Sequence, residues 1–194
     1  MIVYVESNFV LEVVLENEAH ADCERIVELA EGRAIELRLP AYAVLEPDQT
    51  LQRRREKLKA LEGDLGRAVR ELKRSPQWRD RVDATTGLLA EAMGTAGDRW
   101  DEVRARLCAV ATLLPLDGST LISAERAKRE FSLRLPDAVI YASVLESSTR
   151  DPRASIFVTR DEAFVDPRIV EALRAVRCDV LRSFAKARAT LDRA

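Results

Sequence analysis

Residues 2–5, Ile-Val-Tyr-Val, form an unbroken β-branched and aromatic run. That is the pattern of a strand buried on both faces. Directly after it Ser7 and Asn8 are cap-type residues, and Phe9, Val10, Val13 and Val14 recur at helical spacing. A second helix is expected over about 18–31, with Cys23, Ile26, Val27 and Ala30 on one face and Gly32 as its stop. Residues 34–39 alternate like a strand, and Pro40 suits the first turn of a short helix running to Glu46.

From Asp48 to about Leu113 the pattern changes to helix-forming, charge-rich sequence broken at Gly63, Gly66, Ser75-Pro76 and Gly94 to Gly97. Two or three long helices are expected there, with Trp78 and Trp100 as packing anchors. Leu113 to Leu116 reads as a short strand, 119–131 as a helix, and Pro136 begins a helix ending near Ser147. Ser155 to Val158 is a strand followed by a loop over Thr159–Asp166, then a helix at 168–176, a strand at 178–181 and a final helix. Short strands alternating with helices predict an α/β fold, a three-layer α/β/α sandwich around a mainly parallel sheet. The chain is expected to be one domain over 1–194 with a helical insertion at about 48–113. Sites in such sheets gather at the carboxyl ends of the strands. Glu6 and Asp161 each stand just past one.

Composition narrows the function only by exclusion. The net charge of −2 and pI near 5.7 argue against a protein that coats nucleic acid through overall positive charge. Cys23, Cys108 and Cys178 are far apart and odd in number, and His20 is the single histidine, so a zinc cluster is not expected. Free buried thiols are the plain reading of the cysteines, and a capped surface residue that of His20. The opening Met-Ile-Val-Tyr-Val-Glu lacks the features of a signal peptide, and no uncharged apolar run approaches about 18 residues. The expectation is a cytoplasmic protein with no membrane segment.

Four acids occupy positions that a metal site would favour: Glu6 ends the first strand, Glu46 the short helix, Asp137 opens the helix in Leu-Pro-Asp-Ala-Val-Ile, and Asp161 lies in the loop after Phe-Val-Thr-Arg. Each has an ordinary alternative. Glu6 and Asp137 would also complement the positive end of a helix, Glu46 would serve as a surface acid, and Asp161 as a turn or cap residue. Their shared placement, each in an apolar element near one edge of the sheet, favours a common site.

An acid ending the first strand before Ser/Thr-Asn and an apolar helix resembles the opening motif of PIN domains. Leu-Pro-Asp-Ala-Val-Ile-Tyr-Ala is similar to that family's third acidic motif, and Thr-Arg-Asp-Glu-Ala-Phe to its fourth. Glu46 occupies the place of the second acid. The resemblance covers about 1–47 and 113–181. It implies a ribonuclease that uses Mg²⁺ or Mn²⁺, with Glu6, Asp137 and Asp161 as ligands and Glu46 as a ligand or as the group orienting the attacking water. Ser7, Asn8 and Thr159 are candidates for hydrogen bonds that hold these carboxylates. Asp166 is a fifth acid, read more readily as the N-cap of the following helix before Pro167 than as a member of the site. The family usually has Asp where this chain has Glu6, and Glu46 precedes Pro47, which disfavours helical geometry at Glu46.

Residues 50–74 carry nine basic side chains (Arg53, Arg54, Arg55, Lys57, Lys59, Arg67, Arg70, Lys73 and Arg74) against Glu56, Glu62, Asp64 and Glu71, a surplus of five. This arm could track an RNA backbone, form a solvated face with pairs such as Arg67–Glu71, or meet a protein partner or a second copy of the chain. RNA is the expected substrate, and the resemblance extends to VapC-type toxins, which implies an antitoxin as partner. The rival expectation is a PIN-like binding or scaffold protein without turnover that associates through its helical insertion.

Overall fold

β1 (Ile2–Val5) is the middle of a five-stranded, all-parallel sheet ordered β3 (Thr112–Leu114), β2 (Glu36–Pro40), β1, β4 (Ser155–Val158), β5 (Cys178–Leu181). The computed structural model of the chain describes residues 1–72, 74–77 and 96–193, with the backbone alone for 62–65 and 67–71. β1 is flanked by β2 and β4, and the outer strands are β3 and β5. The side chains of Ile2, Val3, Tyr4 and Val5 are all buried, as a central strand covered on both faces requires. Removing each from water contributes about 1.5–3 kcal/mol.

Strand alternation divides the core between the two faces. Ile2, Tyr4 and Phe157 pack with Leu114, Ala124, Ala138, Tyr141, Phe164, Ile169 and Leu173. These come largely from α5 (Gly118–Phe131), α6 (Leu135–Arg150), the 3-10 turn Glu162–Val165 and α7 (Pro167–Ala175). The opposite face carries Val3, Val5, Leu37 and Leu39, covered by α1 (Ser7–Leu15), α2 (His20–Glu31) and α8 (Phe184–Leu191). Phe9 of α1 meets Phe184 of α8 edge to face at 5.7 Å. Arg106, on helical residues 96–110 (α4), joins this layer by pairing with Glu24 and Glu31 of α2. The result is the expected three-layer α/β/α sandwich.

The chain divides into two compact units: Met1–Pro47 with Val103–Ala194, and Asp48–Glu102. The first holds the sheet and all four acids. In the second, Arg53, Arg54, Arg55, Lys57, Lys59 and Arg74 are exposed and Trp100 is buried. Lys73, Trp78 and Gly94, and the side chains of Arg67, Arg70 and Glu71, lie outside the described residues.

Several local expectations are corrected. The short helix ending at Glu46 is the first part of α3, which runs from Ala41 to Leu72 through Pro47, Gly63 and Gly66. Pro47 removes one hydrogen-bond donor and crowds the residue before it. The Leu, Gln, Arg, Glu, Lys and Ala residues that follow are strong helix formers, and helix growth past a single defect is cheap compared with nucleation. Single glycines cost about 1 kcal/mol each and do not stop such a run. β3 ends at Leu114, because Pro115 has no N–H for the ladder. α6 continues past Ser147 to Arg150. Of the thiols, Cys23 and Cys178 are buried, but Cys108 is exposed. Among the described residues no helix is long and apolar enough to cross a membrane.

Candidate active site

β1 ends one residue before Glu6, and that residue does two jobs. Its backbone is extended (φ −127°, ψ −175°) and it is the N-cap of α1, its Oε2 accepting the Asn8 amide at 2.7 Å. The cap is therefore the acid itself, not Ser7 or Asn8. A glutamate folding back over the first turn satisfies one orphan N–H of the helix and lies at its positive end. The side chain is only 2% exposed. Its other oxygen, Oε1, accepts the hydroxyl of Thr159 at 3.2 Å. Burial pushes the Glu6 carboxyl up to about 7, the Asn8 amide and Thr159 hydroxyl pull it down, and the nearby charge of Asp161 pushes it up again.

Thr159, fully buried just past β4, ties two of the acids together. Its hydroxyl oxygen accepts the Asp161 amide at 2.9 Å, so its proton is free to go to Glu6. Asp161 in turn caps the 3-10 turn, its Oδ1 accepting the Ala163 amide at 2.8 Å. Asp161 is thus the cap residue that its sequence allowed, and its carboxylate also acts on Glu6 and Asp137.

Glu46 lies in the second turn of α3, half-buried, and Ser7 donates its hydroxyl to Glu46 Oε2. Asp137 sits in the first turn of α6 with Pro136 at the helix start. Burial raises its carboxyl above the ordinary range, the Arg134 guanidinium lowers it and Asp161 raises it. Arg134 Nε reaches Asp137 Oδ2 at 3.1 Å, and its charge also acts on Asp161 and Glu46. Charge effects thus link Asp161 with both Glu6 and Asp137, and Arg134 with Asp137, Asp161 and Glu46; these acids stand after β1, in α3, in α6 and in the loop after β4, at the carboxyl end of the sheet.

Of the supporting residues expected, Ser7 holds Glu46, and Asn8 and Thr159 hold Glu6. Asp166 takes the capping role expected for it. It caps α7 through the Arg168 amide at 2.9 Å, and both its oxygens are engaged by the Arg168 side chain. Sequence reasoning missed Arg134. The signal available was its spacing, three residues before Asp137, which brings side chains together at a helix start.

The donor set suits a hard divalent cation in kind: four carboxylates, with neutral donors rather than a cationic side chain on the buried Glu6. Its present arrangement is more open. Among the described residues no three acid, imidazole or thiol side chains are gathered so as to hold a metal ion together, and Arg134 and Ser7 each occupy an oxygen of one acid. A separate pocket of about 300 Å³ is lined by Arg38, Thr120, Ser143, Glu146, Ser147 and Asp151, among others. Its charges are closed on one another: Arg38 binds Glu36, Asp151, Tyr4 and Ser147, while Glu146 accepts from Thr120, Ser123 and Arg150. Compared with known proteins, the chain matches no family model, no curated protein and no solved structure.

Proposed function

We propose that this chain is a PIN-like ribonuclease that hydrolyses RNA phosphodiester bonds at Glu6, Glu46, Asp137 and Asp161 with Mg²⁺ or Mn²⁺ as cofactor. The observation that carries this reading is the placement of four acids from four separate segments at the carboxyl end of a parallel sheet, with Asp161 acting on both Glu6 and Asp137. One of them, Glu6, is so desolvated that its carboxyl titrates near 7. Capping α1 accounts for one oxygen of Glu6 but not for its burial beside the charge of Asp161, and such perturbed groups cluster at functional sites. Glu6, Asp137 and Asp161 would hold the cation. When bound, it would neutralise the phosphate charge and make a coordinated water nucleophilic. Glu46, fixed by Ser7, is placed to hold the ion or orient the attacking water. Thr159 and the Asn8 amide keep both oxygens of Glu6 in place.

The narrower version of this proposal is the toxin of a toxin–antitoxin module, with an antitoxin protein as partner. A second reading rests on Glu6, a glutamate where the resemblance implies aspartate. It is a binding protein of the same fold without turnover, associating through the helical insertion expected at about 48–113. An assay of the purified chain on mixed single-stranded and structured RNA with Mn²⁺ or Mg²⁺ separates the two. Cleavage by the wild type and loss of at least about a hundredfold in D137N, roughly 2.7 kcal/mol on the barrier, supports the nuclease. No cleavage with either metal, or equal cleavage by D137N, overturns it.

A further inference from the structure

Four carboxylates at one sheet edge repel a polyanion, so a nuclease built on them needs a cation that meets the substrate. Arg134 has the geometry for that role. It stands at the N-cap position of α6 with extended backbone (φ −69°, ψ 154°), and its side chain is 78% exposed while that of Asp137 is 8% exposed. The contact uses only Nε, at 3.1 Å from Asp137 Oδ2. Among the described residues neither Nη group has an acceptor. The guanidinium is therefore anchored at its base beside the acids and presents the fork that binds phosphate through two parallel N–H bonds. Arg160, next to Asp161 in the chain, already donates through Nη1 to Glu12 at 3.1 Å.

We propose that Arg134 anchors a phosphate of the polynucleotide chain, holding it next to Glu46, Asp137 and Asp161. This rests on the nuclease reading and adds to it a residue that touches substrate. A purely structural Arg134 is a poor alternative, because an ion pair with so exposed a partner contributes little to stability.

The test compares wild type, R134A and R134K by steady-state cleavage of a single-stranded RNA with Mn²⁺. In parallel, the salt dependence of binding of the same RNA is measured in EDTA. The expected result is a KM raised about ten- to hundredfold in R134A, the loss of one charged hydrogen-bonding group. With it come a kcat within a few-fold, a salt slope smaller by about one phosphate contact, partial recovery in R134K and an unchanged thermal midpoint. R134A with unchanged KM and salt slope overturns the anchor and leaves the nuclease intact. A loss confined to kcat also overturns it, assigning Arg134 to the positioning of Asp137 instead. A wild type that neither binds nor cleaves RNA overturns the nuclease reading and the anchor with it.

Discussion

Thr159 donates its hydroxyl to Glu6 across 153 positions of sequence, at 3.2 Å inside the protein. The same oxygen takes the Asp161 amide, so one buried hydroxyl fixes both the first-strand acid and the loop that carries the last one. Valine is close to isosteric but can neither donate nor accept. T159V would leave a buried carboxylate oxygen and a backbone N–H without partners, at a cost of about 1–3 kcal/mol. T159S keeps both bonds and loses only a buried methyl, about 1 kcal/mol. Urea unfolding of the three proteins checks the order, and equal midpoints for T159V and wild type would disprove the link.

Glu6 makes folding stability depend on pH. Its folded-state carboxyl, at about 7, lies above the ordinary 4.5, so the folded protein holds this proton more tightly than the unfolded chain does. The associated stability is complete below about pH 4.5, falls as pH rises between the two values, and is gone above about 7. The full span corresponds to roughly 3 kcal/mol. E6Q, permanently neutral, is expected to remove this slope. It should gain about 1–3 kcal/mol over wild type at pH 8 in metal-free buffer and nothing at pH 4. Denaturant midpoints across that range measure it.

A divalent cation that binds the four acids competes with the Glu6 proton, so its affinity should rise as pH passes through 7. At about a hundred times its dissociation constant, Mn²⁺ would stabilise the folded chain by about 2.7 kcal/mol, or about 5 °C or more in thermal midpoint. The shift should be absent in D137N. A shift of the same size in D137N would place the ion elsewhere.

Glu6 stands where the resemblance implies aspartate, and its longer side chain already folds back onto the Asn8 amide. Mg²⁺ demands near-octahedral geometry at about 2.0–2.1 Å, which a folded-back glutamate meets poorly. Cleavage is therefore expected to be slower with Mg²⁺ than with Mn²⁺. E6D should raise the Mg²⁺-supported rate about tenfold, the effect of roughly 1.4 kcal/mol on the barrier. Abolished activity in E6D would mean that the site is shaped around the longer residue.

Period and punctuation in the sequence determined the layers of this protein. The β-branched run at 2–5, the apolar spacing of Phe9 to Val14 and the alternation around Leu37 follow from local geometry, and each appears where the pattern put it. Glu6 and Asp137 were marked as candidates for the same reason, since one follows a strand and the other opens a helix. Where α3 stops was not, because a proline and two glycines compete with a long run of helix formers, and their balance is a sum over the whole helix. Only the tertiary structure decided that Thr159 belongs to Glu6 and that Ser7 belongs to Glu46. Those pairings depend on which strands lie side by side and how far each helix is turned. Hydrogen bonds between residues 39 or 153 positions apart leave no period in the sequence. The shift of Glu6 is likewise tertiary, since its first cause is burial, and burial is supplied by every layer around β1.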